Sequence, residues 1–301
     1  MNTAVLVAIL AIFAVLPRNS LAFVARGDSV YFDGFVGWHY MYHENSGNDN
    51  HLSYPKLWVN GMKNIGQSKE GQYSYMKISV FSTKGNIEIK QASANWANPY
   101  KDIDMITVGR FAPPFAEEWL KDPDQINLVG YSAIFDQLVY RDDGLQVDFH
   151  RKKMYISLGS FFGERSEGVA RERMNGKVHL YSKVTLVLPL NVNASGSYRW
   201  SRTRNNLWAA YGKWHGDRKN ISFEAVGFGE SIQWFANYSV KVVRRVVLTA
   251  RYENLREQKN RSIFGARFYA KDFDLKISST LPGHLAGSPP RWVQAEVLFR
   301  F

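Results

Sequence analysis

Short segments in which apolar and polar residues alternate recur from Val30 to the end of the chain. A period of two is the sequence signature of a β-strand whose two faces have unlike surroundings. The final segment, Arg291 to Phe301, is the clearest case, because one face is wholly apolar and carries Val293, Ala295, Val297, Phe299 and Phe301. The chain is therefore predicted to be all-β.

The polar faces of these segments carry long basic side chains, and this distinguishes a membrane barrel from a soluble sandwich. Lys77, Lys183 and Arg251 each stand between apolar neighbours on the opposite face. Such side chains fill a dry core poorly but line a water-filled lumen well. After the N-terminal segment, no apolar run approaches the roughly 20 residues that a membrane-spanning helix needs. This excludes a helical membrane protein. The pattern predicts a transmembrane antiparallel β-barrel.

Sixteen alternating segments can be counted, and fourteen or twelve strands are also consistent with the pattern. Their centres are predicted near residues 36, 58, 77, 90, 107, 147, 158, 182, 197, 210, 225, 237, 250, 265, 277 and 296. An even count places both ends of the barrel wall on one side. The connections alternate roughly between short polar turns and longer loops, with Ala94 to Asp104 read as a long turn. No domain boundary interrupts residues 23–301.

The N-terminus has the features of an export signal. Ala4 to Leu16 is a run of 13 apolar residues, and Ser20-Leu21-Ala22 follows it. The run is too short to span a bilayer, and small residues stand where a signal peptidase reads. We expect a signal peptide over residues 1–22, with a short buried helix or a disordered apolar tail as alternatives. The absence of Cys suits an oxidising compartment.

One long excursion, Ala112 to Asp143, breaks the rhythm after the fifth strand. It opens with Pro113-Pro114, lacks clean alternation, and contains a helix-compatible stretch from Phe115 to Leu120. A connection this long in a compact fold is usually functional or disordered.

The residues around this excursion resemble a known family. Ile106-Thr107-Val108-Gly109-Arg110-Phe111-Ala112-Pro113-Pro114-Phe115 is similar to a Val-Gly-x-Phe-x-x-Pro-Phe stretch of the phosphate-selective porin O and P family. Arg141-Asp142-Asp143-Gly144-Leu145-Gln146-Val147 resembles the Arg-Asp-x-Gly segment that follows the constriction loop there. The resemblance implies a 16-stranded barrel in the bacterial outer membrane, a homotrimer, with an inward-folded constriction loop. It also implies passage of anions or other small hydrophilic solutes.

Charge placement gives the candidate site. The basic residues expected to line the pore are Lys77, Lys90, Arg110, Lys183, Arg199, Arg251, Arg267 and Lys276. The excursion carries seven acidic and two basic residues, and its candidate constriction residues are Glu117, Glu118, Lys121, Asp122, Asp124, Asp136 and Arg141. An acidic loop facing a basic wall would set a transverse field across the pore. We therefore expect a general or weakly anion-preferring porin.

Other partners are suggested by composition and position. Loop arginines could bind lipopolysaccharide phosphates or be ordinary solvated charge, namely Arg165, Arg171, Arg173, Arg202 and Arg204. Phe301 matches the terminal aromatic that the barrel-assembly machinery reads in many outer-membrane proteins. Tryptophans are expected near the membrane interfaces at positions 38, 58, 96, 208 and 214. Basic residues are dispersed and no nucleic-acid motif appears, so no nucleic-acid partner is expected.

Catalysis is the less favoured interpretation. The carboxylate pair Asp272-Phe-Asp274 and two similar pairs have no Asp-x-His beside them, as an omptin-type protease would require. No serine–histidine phospholipase motif is found. The seven His lack the spacing of a zinc site, and no phosphate-binding glycine loop is present. We expect neither catalytic residues nor metal nor cofactor. A barrel enzyme and a non-conducting structural barrel stay open as alternatives.

Overall fold

The computed structural model describes most of the chain from residue 30 onward. The described residues are 30–43, 51–52, 56–67, 73–83, 86–121, 125–129, 132–137, 141–162, 178–201, 206–255, 260–271, 273–282 and 292–300. The expected signal peptide, the five loop arginines and Phe301 lie outside these ranges.

Sixteen long strands and one two-residue strand occur in the described part of the chain. The strands are β1 (Val30–His43), β2 (His51–Leu52), β3 (Lys56–Gln67), β4 (Tyr73–Thr83), β5 (Asn86–Tyr100), β6 (Ile103–Phe111), β7 (Asp142–Arg151), β8 (Met154–Phe161), β9 (His179–Leu188), β10 (Val192–Ser201), β11 (Leu207–His215), β12 (Lys219–Phe228), β13 (Ser231–Val243), β14 (Val246–Asn254), β15 (Arg261–Tyr269), β16 (Phe273–Pro282) and β17 (Trp292–Arg300). All sixteen predicted strand centres fall within the long strands.

The long strands form one closed antiparallel barrel. Each pairs with its neighbours in sequence, and β1 closes the ring by pairing with both β3 and β17. The closing register runs from Phe35 opposite Arg300 to His43 opposite Trp292. β2 adds only a short bridge to β1. The predicted 16-stranded barrel is confirmed, and closure leaves no unpaired sheet edge.

The polarity of the wall is inverted relative to that of a soluble protein, with apolar residues on the outer face and polar residues on the inner face. Outward residues are large, apolar and exposed, as with Val108, Leu145 and Leu180, while inward residues such as Ser93, Thr107 and Thr249 are polar and buried. This distribution is the one expected of a barrel whose exterior faces lipid. No helix in the described ranges is long and apolar enough to cross a membrane.

Two sequence expectations need correction. The predicted long turn from Ala94 to Asp104 is mostly strand, because β5 runs to Tyr100 and only Lys101 and Asp102 form the turn. Small and amide side chains on β5 had weakened the alternation there. Trp58 lies on the inner face, stacked on Phe35 with ring centroids 6.1 Å apart, and is buried. It is therefore not an interfacial residue, whereas Trp96, Trp208 and Trp214 are exposed on the outer face.

Glycines let an aromatic ring lie flat on the inner wall. The ring of Phe161 covers Gly144 and Gly159, and a Cβ added to either glycine would lie 2.5 Å from a ring carbon. At Gly144 the added Cβ would also lie 2.5 Å from the backbone oxygen of Ser160. The ring can rotate, but the backbone oxygen belongs to the neighbouring strand and cannot move freely.

We predict that Gly144→Ala lowers the free energy of unfolding by about 1–3 kcal/mol, the usual cost of overpacking. The urea midpoint of the refolded barrel in lipid vesicles, followed by tryptophan fluorescence, measures this change. Gly196→Ala is the matched control, because nothing lies within 4 Å of its added Cβ. Equal midpoints for the two variants would contradict the packing argument.

Candidate functional site

The connection between β6 and β7, residues 112–141, folds into the barrel and is called the inner loop below. Within its described part are two short 3₁₀ turns, Glu118–Leu120 and Ala133–Gln137. Among their described side chains, those of Glu118, Ile134 and Phe135 are buried, which a loop projecting into solvent would not allow. The inward-folded loop expected from the sequence is confirmed.

An apolar cluster holds one side of the inner loop against the wall. Phe115, Ala116, Ile134 and Phe135 come from the loop and are at most 3 % exposed. They pack against inward residues of β6, β8, β9 and β11–β13, namely Phe111, Phe161, Tyr181, Leu207, Ala209, Val226 and Phe235. This part of the lumen is therefore filled by protein.

A buried carboxylate on β12 binds the backbone of the inner loop. Oε1 of Glu224 accepts the N–H of Glu117 at 2.5 Å, and Oε2 accepts the N–H of Glu118 at 3.1 Å. Glu224 has no exposed surface, so these two donors replace the water that a carboxylate requires. The carboxylate thus fixes two consecutive peptide groups at the first turn of the loop.

The side chain of Glu117 is neutralised by residues of β9 and β10, on the same side of the barrel as Glu224. Lys183 Nζ of β9 lies 2.7 Å from Glu117 Oε1, and Ser195 Oγ of β10 donates to the same oxygen at 3.0 Å. Lys183 also donates to the carbonyl oxygen of Ala116 at 3.4 Å. The backbone N–H of Ala116, one residue before Glu117, donates to Ser197 Oγ at 3.1 Å.

The side chain of Glu118 binds both β14 and a later residue of the inner loop. Arg251 Nη2 donates to Glu118 Oε2, and Ser132 N–H donates to Oε1 at 2.8 Å. Arg251 also donates from Nε to Asn237 Oδ1 at 2.7 Å and lies 4.9 Å from the centre of the Phe235 ring. Because Glu118 and Arg251 are both buried, each depends on the other for charge compensation.

The far part of the inner loop reaches β15 and β16. Val129 N–H donates to Ser278 Oγ at 3.0 Å, and Arg267 Nη1 donates to Asn127 Oδ1 at 3.3 Å. Leu128 packs on Gly265, where an added Cβ would lie 2.5 Å from a leucine methyl carbon. The described parts of the loop leave the wall at β6 and contact it from β8 round to β16. The loop therefore occupies the lumen along this arc of the wall and narrows it.

The acidic loop residues that were expected to face a basic wall across the pore instead contact that wall directly where they are described. Glu117 and Glu118 are in direct contact with Lys183 and Arg251, so these charges are compensated at short range rather than across a gap. Asp122 and Asp124 lie outside the described residues, and nothing is described of the Asp136 side chain. Lys121 and Arg141 lie in the described part of the inner loop and are partly buried.

Seven of the eight candidate basic residues lie on the inner face. Lys183, Arg251 and Arg267 contact the inner loop, Lys276 pairs with Glu296 at 3.1 Å, and Lys90 lies 5.2 Å from the centre of the Phe81 ring. A β-bulge opposite Ser79 and Val80 places Lys90 inward beside Gln91. Lys77 faces inward opposite Ser93, and Arg199 is buried on the same face of the barrel.

The eighth residue, Arg110, lies on the outer face and the expectation that it lines the pore is wrong. Thr107 and Phe111 point inward and are buried, so Arg110 shares the outward face with Val108. Its guanidinium donates to both carboxylate oxygens of Asp143, at 3.1 and 2.9 Å. This bidentate pair neutralises both charges where β6 ends and β7 begins.

Further acidic residues of the wall pair with inner-face cations, a role that the sequence does not predict for them. Asp274 lies 2.6 Å from Arg267 and 2.5 Å from Arg300, and Glu253 pairs with Arg261. Glu224, Glu253 and Asp274 all stand at inward positions of alternating strands. The alternation could have found them, but the loop groups that Glu224 binds are distant in sequence.

A polar chamber lies between the inner loop and β11–β14. Its volume is about 130 Å³, and it is lined by Glu118, Lys121, Gln125, Ile126, Asn127, Leu128, Lys213, Asn220, Ser222, Asn237, Ser239, Thr249 and Arg251. Amide, hydroxyl and ammonium groups dominate this lining. Among the described residues, no group of three or more His, Asp or Glu side chains is arranged to hold a metal ion.

Comparison with solved structures identifies the fold. A mutant of Rh. blastica porin is similar over 91 % of this chain and 100 % of that chain, with a TM-score of 0.67 and 12 % identity. A triple mutant of Rhodopseudomonas blastica porin has the same coverage and identity, with a TM-score of 0.65. The chain has the porin barrel fold. It matches no family model and no curated protein, so the resemblance to the phosphate-selective family consists of short motifs.

We predict that Glu224→Gln destabilises the attachment of the inner loop. A glutamine offers one carbonyl oxygen in place of two carboxylate oxygens, so one buried amide loses its acceptor, at a cost of about 1–3 kcal/mol. Protease cleavage of the loop in the refolded, detergent-solubilised barrel should therefore become faster, as measured by mass spectrometry of the fragments. Ser222→Ala, on the same face of β12, serves as the control. Unchanged cleavage in Glu224→Gln would refute the attachment.

Proposed function

We propose that the chain forms a water-filled outer-membrane channel for passive diffusion of small hydrophilic solutes. The observation that carries this proposal is a loop bound across a polar lumen inside a barrel with an apolar exterior. A loop in that position narrows a passage without closing the barrel, and the passage then selects solutes by size and charge. Lys77 is only partly buried, belongs to the wall away from the apolar cluster, and would border the passage.

The proposed location is the bacterial outer membrane. The barrel strands have 8 to 15 residues, which matches the roughly 9–11 residues that a tilted strand needs to cross a bilayer. Exposed aromatic residues on the outer face, such as Trp96 and Trp208, suit the membrane interfaces. The inner loop joins β6 to β7 at one end of the barrel. If that end faces the outside of the cell, the short turns and both ends of the wall face the periplasm.

We further propose that the channel mildly prefers anions, with phosphate among them as the motif resemblance implies. The chain has a formal net charge of +11, and several cations lie on the inner wall. Many of these are already compensated, since Lys183, Arg251 and Lys276 form ion pairs. The remaining electrostatic bias comes from fewer groups, Lys77 and Lys213 among them. This favours a weak preference over strict anion selectivity.

Assembly and export complete the proposal. Residues 1–22 would be removed as a signal peptide, Phe301 would be read by the barrel-assembly machinery, and three copies would form a homotrimer. Loop arginines such as Arg202 and Arg204 would contact lipopolysaccharide. Chemical crosslinking of the refolded protein tests the trimer, and N-terminal sequencing of exported protein tests cleavage after Ala22.

A second candidate is a barrel that does not conduct, because the apolar cluster of the inner loop already fills part of the lumen. An outer-membrane enzyme of the protease or phospholipase type is the weaker alternative. Asp274, one member of a candidate carboxylate pair, is held between Arg267 and Arg300 and is fully buried. That environment suits a structural ion pair better than water activation.

We predict that the refolded mature protein produces discrete current steps in a planar bilayer, in threes for a trimer. Liposome swelling should fall as solute size increases, because the inner loop sets the limiting width. Heat-modifiable migration on a gel is the control for correct folding. A folded barrel that gives neither current nor swelling would favour the non-conducting candidate.

We predict that Lys77→Gln shifts the reversal potential in a salt gradient toward cation preference, since an inward-facing charge is removed. Arg110→Gln removes one charge of the same sign from the outer face and should leave the reversal potential unchanged. Both variants are measured as single channels in the same gradient. Equal shifts would show that net charge, rather than position in the lumen, determines the preference.

A further inference from the structure

The short turns at one end of the barrel carry a concentration of basic side chains. The described turns and their flanking residues, 101–102, 151–153, 189–191, 216–219, 241–245 and 270–271, contain ten basic residues and two acidic ones, Asp102 and Asp217. All ten are exposed: Lys101, Arg151, Lys152, Lys153, Arg218, Lys219, Lys241, Arg244, Arg245 and Lys271. We call these turns the basic rim. Like charges at this density repel one another, and an anionic surface lying against them would relieve the repulsion.

Apolar side chains project from the same turns. Leu190, at the tip of the β9–β10 turn, is 84 % exposed and has a φ of 60°, a conformation that leucine rarely adopts. Val242 and Val243 are 50 % and 57 % exposed and directly precede Arg244 and Arg245. Exposed apolar groups beside cations suit the boundary between lipid headgroups and acyl chains better than they suit water.

The rim is an ordered structure rather than a set of independent hairpins. Several turns accept a hydrogen bond at a carbonyl oxygen from an N–H of the next strand. Val187 N–H donates to Lys153 O at 2.8 Å, His215 N–H to Asn191 O at 3.0 Å, Lys241 N–H to Arg218 O at 2.7 Å and Tyr269 N–H to Arg245 O at 3.0 Å. These bonds fix the relative positions of successive turns from β8 to β15. The turns from β8 to β15 are therefore held along one arc. Within it, Arg218 and Lys241 line a pocket with Asn127 and the inward-facing Arg267, so these two cations border the lumen rather than the lipid.

We propose that the basic rim binds the headgroups of anionic phospholipids in the leaflet against which it lies. Arg and Lys side chains would bind the phosphates while Leu190, Val242 and Val243 enter the upper acyl region. An acidic protein is the other anionic partner that the charge alone would allow, but it gives no role to the exposed apolar tips. The inference rests on the proposed membrane location and adds the lipid class that the barrel selects.

Trp214 provides a local reporter of this contact. It lies on the outer face, 37 % exposed, next to His215, whose amide is bonded to the β9–β10 turn. Bromine atoms on a lipid acyl chain quench tryptophan fluorescence on contact. The experiment reconstitutes the full barrel in vesicles containing equal fractions of phosphatidylglycerol and phosphatidylcholine, with one or the other brominated. The signal of a Trp214→Phe variant is subtracted.

We expect brominated phosphatidylglycerol to quench Trp214 several-fold more effectively than brominated phosphatidylcholine at low salt, with the difference falling at high salt. In the variant Lys219→Gln/Arg244→Gln/Arg245→Gln, the ratio of quenching by the two brominated lipids should fall by about fivefold or more. Each removed cation contributes to attraction toward an anionic surface. Lys219→Arg/Arg244→Lys/Arg245→Lys keeps the charges and should retain it. Heat-modifiable migration confirms that each variant is folded.

Equal quenching by the two lipids in the unmodified protein would overturn the proposal, and would leave an acidic protein as the partner to examine. A preference that survives in the glutamine variant would overturn it as well. If the barrel inserts and conducts but shows no lipid preference, only this inference fails. If the barrel does not insert, the proposed channel function fails with it.

Discussion

Closure of the backbone hydrogen-bond ring is the constraint on which the rest of this structure depends. In hydrocarbon, an unpaired N–H or C=O costs several kcal/mol, so a sheet in a membrane cannot keep a free edge. The pairing of β1 with β17 removes that edge. Once the ring is closed, every second residue must point inward. The sixteen strands together therefore create an interior too polar and too wide to be filled by the wall alone.

The inner loop is the response to that interior. A loop that enters a lumen must satisfy its own peptide groups, and here the wall supplies acceptors and donors at defined points: Glu224 for two amides, Ser197 for a third and Lys183 for a carbonyl. The side chains of Glu117 and Glu118 are in turn neutralised by Lys183 and Arg251. These contacts explain why a segment with little regular secondary structure is nevertheless buried. They also explain why charges expected to act across the pore are instead used for attachment.

Period-two alternation was enough to locate every barrel strand, because each strand separates lipid from water and one face cannot tolerate the other's residues. It failed where that contrast was weak. The end of β5 carries alanine and asparagine, and was mistaken for a turn. Trp58 faces inward because its cross-strand neighbour Phe35 stacks on it, a contact between strands that one segment does not reveal. Arg110 tolerates the outer face because Asp143 stands beside it on β7. The attachment of the inner loop at Glu224 joins residues 107 and 106 positions apart, beyond any local pattern.

The distribution of unlike charges follows from the same geometry. On β14–β17, inward acids alternate with inward bases, so Arg267 and Arg300 share Asp274, and Lys276 pairs with Glu296. At β9 and β14, the acids of the inner loop compensate Lys183 and Arg251. These ion pairs compensate most of the inward-facing cations named above, so the net positive charge of the chain is carried by other groups. What is left uncancelled in the described residues is concentrated at the short turns, where the wall ends and where water or lipid headgroups, rather than protein, must compensate it.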